Sequence, residues 1–402
     1  MTKVTEQSHD GFTLFMTTNG EHEYFITSRI ENEQYKPTEI TETVYQRITE
    51  ILNQSNLRIV HERIFGSNSL YDEIMLKRKE ILQKNGITEE LPVTYIQGQP
   101  IWGEGLAGVQ IRAVRLDNAS DKVWTIYDQD VPCGRGWNRN GATFLMLHNI
   151  HGLNRDRKND DVREDEASRM FDWANRLLKE QGAGFQNVVR TWIYLSDILD
   201  WYKEFNIARN KQFNAFHLLD DSRENLEAEK IYLPASTGIE GDNPLGAAGV
   251  MDVLAVLPKK TGSLKIQPQS GVKQKSPYRY GSAFSRSISI QEKELTYIML
   301  SGTAAIDDHG KSLYPGDTRA QIKKTIDVVE ALVAKEGGKL RDICEATAFL
   351  KRAEDISIYN EVISEYGLEH MPAICVVADV CRDELLFELD AMVSFFNSSS
   401  NE

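Results

Sequence analysis

Glu388 is the residue of this chain whose setting best suits proton chemistry. It lies in the alternating run Phe387-Glu-Leu-Asp-Ala391, where period-2 geometry sends Phe387 and Leu389 to one face of a strand and Glu388 to the other. A carboxylic acid buried in apolar surroundings stays protonated near neutrality and can hand its proton to a reacting atom. The same residue facing water would be an ordinary strand glutamate. Arginines hold carboxylates in fork geometry, and Arg382, Arg286, Arg190 and Arg209 are the candidates. Arg190 stands among Val188, Val189, Trp192 and Ile193, so it serves something other than solubility. Arg209 follows Phe205-Asn206 on a predicted helix and could equally be an exposed helix arginine. Cys381 adjoins Arg382 with no histidine nearby in sequence, which reads as a small pocket-lining residue and not an activated nucleophile.

Other motifs carry less. Gly103-Glu-Gly-Leu-Ala-Gly108 satisfies a Gly-x-Gly-x-x-Gly pattern but precedes a strand, whereas a dinucleotide fingerprint opens a helix after one; it reads as a turn. His148 and His151 lack a third metal ligand at sensible spacing, and neither a metal nor a cofactor is expected. Asn154 to Asp161 is a loop of mixed charge, and Ser398 to Glu402 a tail without signal.

The 402 residues, 41% hydrophobic and 26% charged, have the composition of a globular protein with a sizeable core. Lys+Arg 46 against Asp+Glu 60 leaves a net charge of −14, which opposes binding to nucleic acid or anionic lipid; an anion must find its positive charge inside a pocket. The four cysteines (Cys133, Cys344, Cys375, Cys381) form no Cys-x-x-Cys pair, which excludes a zinc ribbon or disulfide scaffold and suits a reducing compartment. Met1 to Gly11 is polar, with no apolar core of a signal peptide, and no apolar run is long enough to span a bilayer. A cytoplasmic protein without nucleic-acid or membrane partners is expected.

An internal repeat must position the chemistry. Asp172-Trp-Ala-Asn-Arg-Leu-Leu-Lys-Glu-Gln-Gly182 aligns with Asp327-Val-Val-Glu-Ala-Leu-Val-Ala-Lys-Glu-Gly337, each a helix closed by glycine. The strand-like runs 188–195 and 343–350 follow, then helices carrying Phe205-Asn206 and Tyr359-Asn360. Before the first helices, Thr143-Phe-Leu-Met-Leu147 matches Thr296-Tyr-Ile-Met-Leu300. A proline and an alternating strand close the unit three times: Pro92 to Ala113, Pro234 to Ala255 and Pro372 to Ala391, spans of 21, 21 and 19, with Gln110, Asp252 and Glu388 at the matching place. The N-terminal copy is the most degenerate. Its opening hairpin turns at Asn19-Gly20 between Thr13–Met16 and Tyr24–Ile26, and its helix is expected over Tyr71 to Asn85. The copies predict an α+β fold in three units, 1–115, 116–258 and 266–396, with helices outside and sheets meeting at the centre.

At Leu300-Ser-Gly-Thr-Ala-Ala-Ile306, Gly316-Asp317, Gln321 and Glu388 the third unit resembles the RidA (YjgF) family, homotrimers of a chorismate-mutase-like α+β fold with ligand sites between subunits. The resemblance covers most of 280–396 and, more weakly, 140–258. It implies a pseudo-trimer within one chain, with less need of symmetry partners: a monomer or low-order oligomer. RidA imine deaminases carry an arginine shortly after the proline of the last hairpin, a place taken here by Ile374. Chorismatases, single chains of RidA-like parts, are more similar. The likeness rests on Tyr280-Gly281 with Phe284-Ser285-Arg286, on Ser301-Gly302-Thr303-Ala304 and on Cys381-Arg382 with Leu385-Leu386-Phe387-Glu388. The middle unit adds Arg190-Thr-Trp192, Phe205-Asn206 with Arg209, and Pro234-Ala235 with Gly238. Two departures stand out: Ile193 replaces the asparagine expected between Trp192 and Tyr194, and Glu240 and Asp242 add acids near the pocket.

This resemblance implies an enzyme that cleaves the enolpyruvyl ether of chorismate or a related cyclic carboxylate, releasing pyruvate, with Glu388 as the acid. Arg382, Arg286, Arg190 and Arg209 would bind the small anionic substrate, Tyr280 and Thr303 would supply hydroxyl groups, and Gly238 and Cys381 would line the site. Two alternatives stay open: a RidA-type imine or enamine deaminase, and a non-catalytic protein binding a small molecule or a partner. The ligand cleft is expected between the middle and third units, with Glu388 buried and outside any ion pair with Arg382.

Overall fold

The computed structural model describes residues 3–19, 22–31, 36–116, 122–154, 162–219, 232–259, 264–269, 271, 273–274 and 276–397, and the side chains of these except at 3, 19, 279 and 280. The chain begins with β1 (Lys3–His9), β2 (Phe12–Asn19), β3 (Glu23–Ile30), α1 (Pro37–Gln54), β4 (Leu57–Gly66), α2 (Tyr71–Lys84), β5 (Thr94–Gln97), β6 (Gln99–Pro100) and β7 (Leu106–Arg115). It continues through β8 (Val123–Asp128), β9 (Val131–Arg139), β10 (Ala142–His151), α3 (Arg163–Glu180), β11 (Val188–Leu195), α4 (Ile198–Ala215), β12 (Ala235–Glu240) and β13 (Gly249–Pro258). The last part contains β14 (Lys265–Gln269), β15 (Ser287–Gln291), β16 (Leu295–Leu300), β17 (Thr303–Ala304), α5 (Thr318–Lys335), β18 (Ile343–Leu350), α6 (Ile356–Glu365), β19 (Ala373–Val377) and β20 (Phe387–Phe396).

Three sheets result, and their strand orders correspond: β1-β2-β3-β7-β4-β5, β8-β9-β10-β13-β11-β12 and β14-β15-β16-β20-β18-β19. In each, the parallel pair is joined through a helix, β4–α2–β5, β11–α4–β12 and β18–α6–β19, because parallel neighbours need a crossover. The short β6 leaves the first sheet and pairs with β19 of the third, and β17 adds to β20.

Alternation along the strands divides the apolar residues between layers. Ile40, Val44, Ile48 and Leu52 of α1 pack on Leu14, Ile26 and Ile111 of the first sheet. Met170, Phe171 and Phe205 of α3 and α4 cover the second, and Ile322, Val329 and Val362 of α5 and α6 the third. The inward faces of all three sheets share one core that includes Phe25, Phe65, Trp192, Tyr194, Tyr297 and Phe349.

Gly182 and Gly337 end α3 and α5 with φ of 76° and 88°, the left-handed geometry of a helix C-terminus. Gly103 and Gly105 sit in the bend before β7, with no helix after them. The N-terminal part corrects the sequence expectation. Besides α2 it contains α1, whose threonines and valine lower helix propensity but whose apolar face repeats at helical spacing. The tip of the first hairpin, at Gly20, and the loop from 155 to 161 lie outside the described residues, as does the tail from 398. Among the described residues no helix is long and apolar enough to cross a membrane.

Candidate active site

Two acids of β20, Glu388 and Asp390, face the shared interior, while Phe387 and Leu389 pack under the helices. Opposite Glu388 the chain turns from β16 into β17, and hydrogen bonds stitch this turn to the middle sheet. Ser236 N donates to Ser301 Oγ at 2.8 Å, and Gly302 N to the Ser236 carbonyl at 3.2 Å. The carboxyl group of Glu388 lies against the bare face of Gly302: a Cβ there would stand 2.0 Å from Glu388 Oε1. No side chain other than hydrogen leaves that room.

The opposite wall comes from the middle part. Tyr202 and Arg209 of α4 are seven residues apart, on one helix face, and line the same narrow cavity as Gly238, Arg286, Gly302 and Glu388. Ser282, Cys381 and Arg382 also line it, and together with Tyr202 they border a wider groove along α4 that opens outward. The cavity thus sits between elements of the middle and last parts of the chain.

Glu388 is 5% exposed, and among the described residues no hydrogen bond or ion pair reaches its carboxyl group. Burial first, and then the Asp390 carboxylate, push its pKa up to about 8, against the pull of Arg190 and Arg286. It therefore holds its proton at neutral pH. Arg209, 1% exposed, lies over the rings of Phe205 and Phe284 at 5.4 and 5.6 Å and donates to Asn206 Oδ1. Its Nε has no partner, and among the described residues no carboxylate pairs with it. A buried cation without a counter-charge is costly, and an anionic ligand would relieve that cost. Arg286 lies over Phe284 at 5.7 Å, and Arg382 donates to the Gly310 carbonyl. Burial, assisted by the neighbouring Glu388, pushes the Cys381 thiol up to about 12, which keeps it protonated. The Tyr202 phenol is likewise raised, chiefly by burial.

The structure therefore brings together Glu388, Arg209, Arg286, Arg382, Gly238 and Cys381. It does not bring Arg190 or Thr303 to the cavity. Arg190 donates to Asp390 Oδ2 at 2.7 Å and to Thr237 Oγ1 at 2.6 Å, so its guanidinium is already committed to a carboxylate. Thr303 turns its hydroxyl to the Ser301 carbonyl at 2.9 Å, because strand alternation sends its neighbours Gly302 and Ala304 inward. Tyr280 closes a short 3-10 turn, and its side chain lies outside those described. Tyr202, Ser236 and Ser282 are lining residues the sequence reading missed; for Tyr202 the seven-residue spacing from Arg209 was the available signal. Ile193 packs on the helix side of β11, away from the cavity.

The positions expected to match Glu388 on the other closing strands look different, and the strand registers set them level with Asp390 instead. Asp252 on β13 accepts from His61 Nε2 at 2.8 Å, from Asn149 N at 2.9 Å and from Thr94 Oγ1. Gln110 on β7 donates to the Ala346 carbonyl at 2.7 Å. Each closing strand thus meets the parallel strand pair of a neighbouring sheet: β13 the first, β20 the second, β7 the third. The residues two after Pro92, Pro234 and Pro372 are Thr94, Ser236 and Ile374, so no arginine stands there in any sheet. Among the described residues no group of three His, Cys, Asp or Glu side chains could hold a metal ion.

Comparison with known proteins gives a consistent result. The family model described as Endoribonuclease L-PSP matches residues 282–394. A RutC family protein of Pyrococcus abyssi is 31% identical over 97 residues, 24% of this chain and 76% of the relative. The 3-hydroxybenzoate synthase of Streptomyces hygroscopicus is 23% identical over 234 residues, 52% of this chain and 64% of the relative. A crystal structure of a chorismatase superposes with a TM-score of 0.59 at 14% identity, covering 92% of this chain and 98% of that one, a likeness of fold.

Proposed function

The chain is a chorismatase-like member of the RidA (YjgF) superfamily, and on that premise we propose that it cleaves the enolpyruvyl ether of chorismate or a related cyclic carboxylate. Its three sheets would be three RidA-like repeats, over 1–115, 116–258 and 266–396, arranged as a pseudo-trimer. The cyclic pattern of contacts, each closing strand against a neighbour's parallel pair, supports that arrangement.

One observation carries the reaction: a buried carboxylic acid, protonated at neutral pH, faces a cavity whose far wall holds an arginine, and among the described residues neither has an ion-pair partner. Glu388 would give its proton to the terminal methylene carbon of the enol ether. The electron pair of the C=C bond forms the new C–H bond, and the ether oxygen shares the resulting positive charge as an oxocarbenium ion. Water adds to the carbon that bears the ether oxygen, loses a proton to the Glu388 carboxylate, and the hemiketal collapses to pyruvate and the ring alcohol. Arg209, Arg286 and Arg382 would hold substrate carboxylates, leaving Glu388 unpaired. Capture of the oxocarbenium within the ring system, followed by aromatisation, would instead give a hydroxybenzoate and pyruvate.

The test is incubation of the protein with chorismate, following pyruvate release and identifying the ring product. Pyruvate above blank supports the reading. Folded protein that releases none overturns the substrate, and hydrolysis of 2-aminoacrylate in its place would favour the deaminase. Ligand binding that survives Glu388→Gln without any turnover would favour a binding protein.

A further inference from the structure

A second buried carboxylate lies beside Glu388 and takes no part in the proposed reaction. Asp390 follows two residues later on the same face of β20, about 7 Å along the strand. Its Oδ2 accepts from Arg190 Nη2 at 2.7 Å and from Thr237 Oγ1 at 2.8 Å. Arg190 is in turn fixed against the ring of Trp192, 4.8 Å from its centroid. The three partners come from β11, β12 and β20, so the cluster exists only where the middle and last sheets meet.

We propose that the Arg190–Asp390 pair holds Glu388 in its proton-bearing form: Asp390 occupies the one strand-borne guanidinium beside the acid and places its own negative charge behind it. Both are positioning residues, acting through Glu388 without touching substrate. The purpose of the device rests on the reading of Glu388 as a proton donor, but its electrostatics do not.

The groups around Glu388 show why the pair matters. From α4 come Tyr202 and Arg209, from the segment before β15 Arg286, from the loop before β20 Cys381 and Arg382, from β11 Arg190, and from β20 itself Asp390. Tyr202 and Cys381 are neutral at working pH. Four arginines remain to favour a carboxylate, and among the described residues only Asp390 opposes them. Arg63 also presses on Arg190 electrostatically but is itself paired with Glu345 at 2.6 Å. Without Asp390, the Arg190 guanidinium would be a buried cation left to pair with Glu388, since the other acid of the cluster, Glu345, is held by Arg63. Such a pair would lock Glu388 as a carboxylate with no proton to give.

The experiment is a double-mutant cycle on the full chain: Asp390→Asn, Arg190→Gln and both together. The readout is the carboxylic C=O infrared band of Glu388, assigned by its absence in Glu388→Gln, titrated against pH; the pH profile of kcat/KM on chorismate is recorded in parallel. Asp390→Asn should lower the midpoint by about one pH unit or more, Arg190→Gln should raise it, and the double variant should return close to the parent. Should Asp390→Asn fail to fold, Arg190→Gln must still titrate above the double variant, since they differ only by the Asp390 charge. A pair that merely clamps two sheets would leave every midpoint in place, and that result overturns the proposal. Midpoints that move as stated in a protein inactive on chorismate would overturn the substrate and keep the device. Unmoved midpoints in an active enzyme would do the reverse.

Discussion

Two acids on two closing strands are used by the chain in opposite ways. Asp252 on β13 and Glu388 on β20 are both buried, and burial is the first cause raising the pKa of each. Asp252 is saturated by a histidine, a threonine hydroxyl and a backbone amide, all donating to it. His61 meets His148 and Trp192 at 5.1 and 5.2 Å between ring centroids, so aromatic rings fill the space beside the acid. Glu388 receives no such donor and has Gly302 and a cavity in front of it. Burial alone does not make an acid available. What separates a clamp from a proton donor is whether the fold spends hydrogen bonds on it.

The largest effect that would break this comparison is catalytic. Glu388→Gln should lower pyruvate release by about a thousandfold, the scale of a lost general acid, and Asp252→Asn should leave kcat near its parent value. Steady-state assay of both proteins decides it. Next comes stability: Asp252→Ala removes the buried partner of His61 and Thr94 and should cost about 3 kcal/mol in urea unfolding, while Glu388→Gln should cost none. Gly302→Ala sharpens the geometric point. Its methyl group collides with Glu388 Oε1, and displacement of the acid should reduce kcat about a hundredfold, with circular dichroism showing a folded protein.

The last effect is a slope. The folded protein keeps the Glu388 proton up to about pH 8, whereas the unfolded chain releases it near the ordinary glutamate value of 4.5. Between those values the folded state binds more protons, so stability falls as pH rises, by at most about 1.4 kcal/mol per pH unit from this group. Chemical denaturation of parent and Glu388→Gln across that window should show the variant gaining relative stability toward pH 8. Parallel curves would mean that Glu388 ionises normally.

Much of this was legible in the residues themselves. The paired helix–glycine–strand segments located α3, α5, β11 and β18, because helical and strand periodicities are local properties of the chain, whereas the proline-to-alanine spans missed the register by two residues: Asp390, not Glu388, stands level with Gln110 and Asp252. The helix α1 was readable in principle, through Ile40, Val44, Ile48 and Leu52, but its β-branched residues masked it. The alternating run around Glu388 also determined that the acid and its apolar neighbours face opposite ways.

Which of the candidate arginines meets a ligand was decided only by the tertiary structure. Arg190 and Arg209 look alike as residues beside aromatic neighbours, yet one finds Asp390, 200 residues away, and the other finds no carboxylate among the described residues. The same holds for the two acids: the donors that saturate Asp252 come from His61 and Thr94 of another sheet, 191 and 158 residues distant. Alternation along a strand says which face a side chain takes. Whether that face meets a donor, a counter-charge or an empty cavity depends on which sheet packs against it, and no local pattern encodes that.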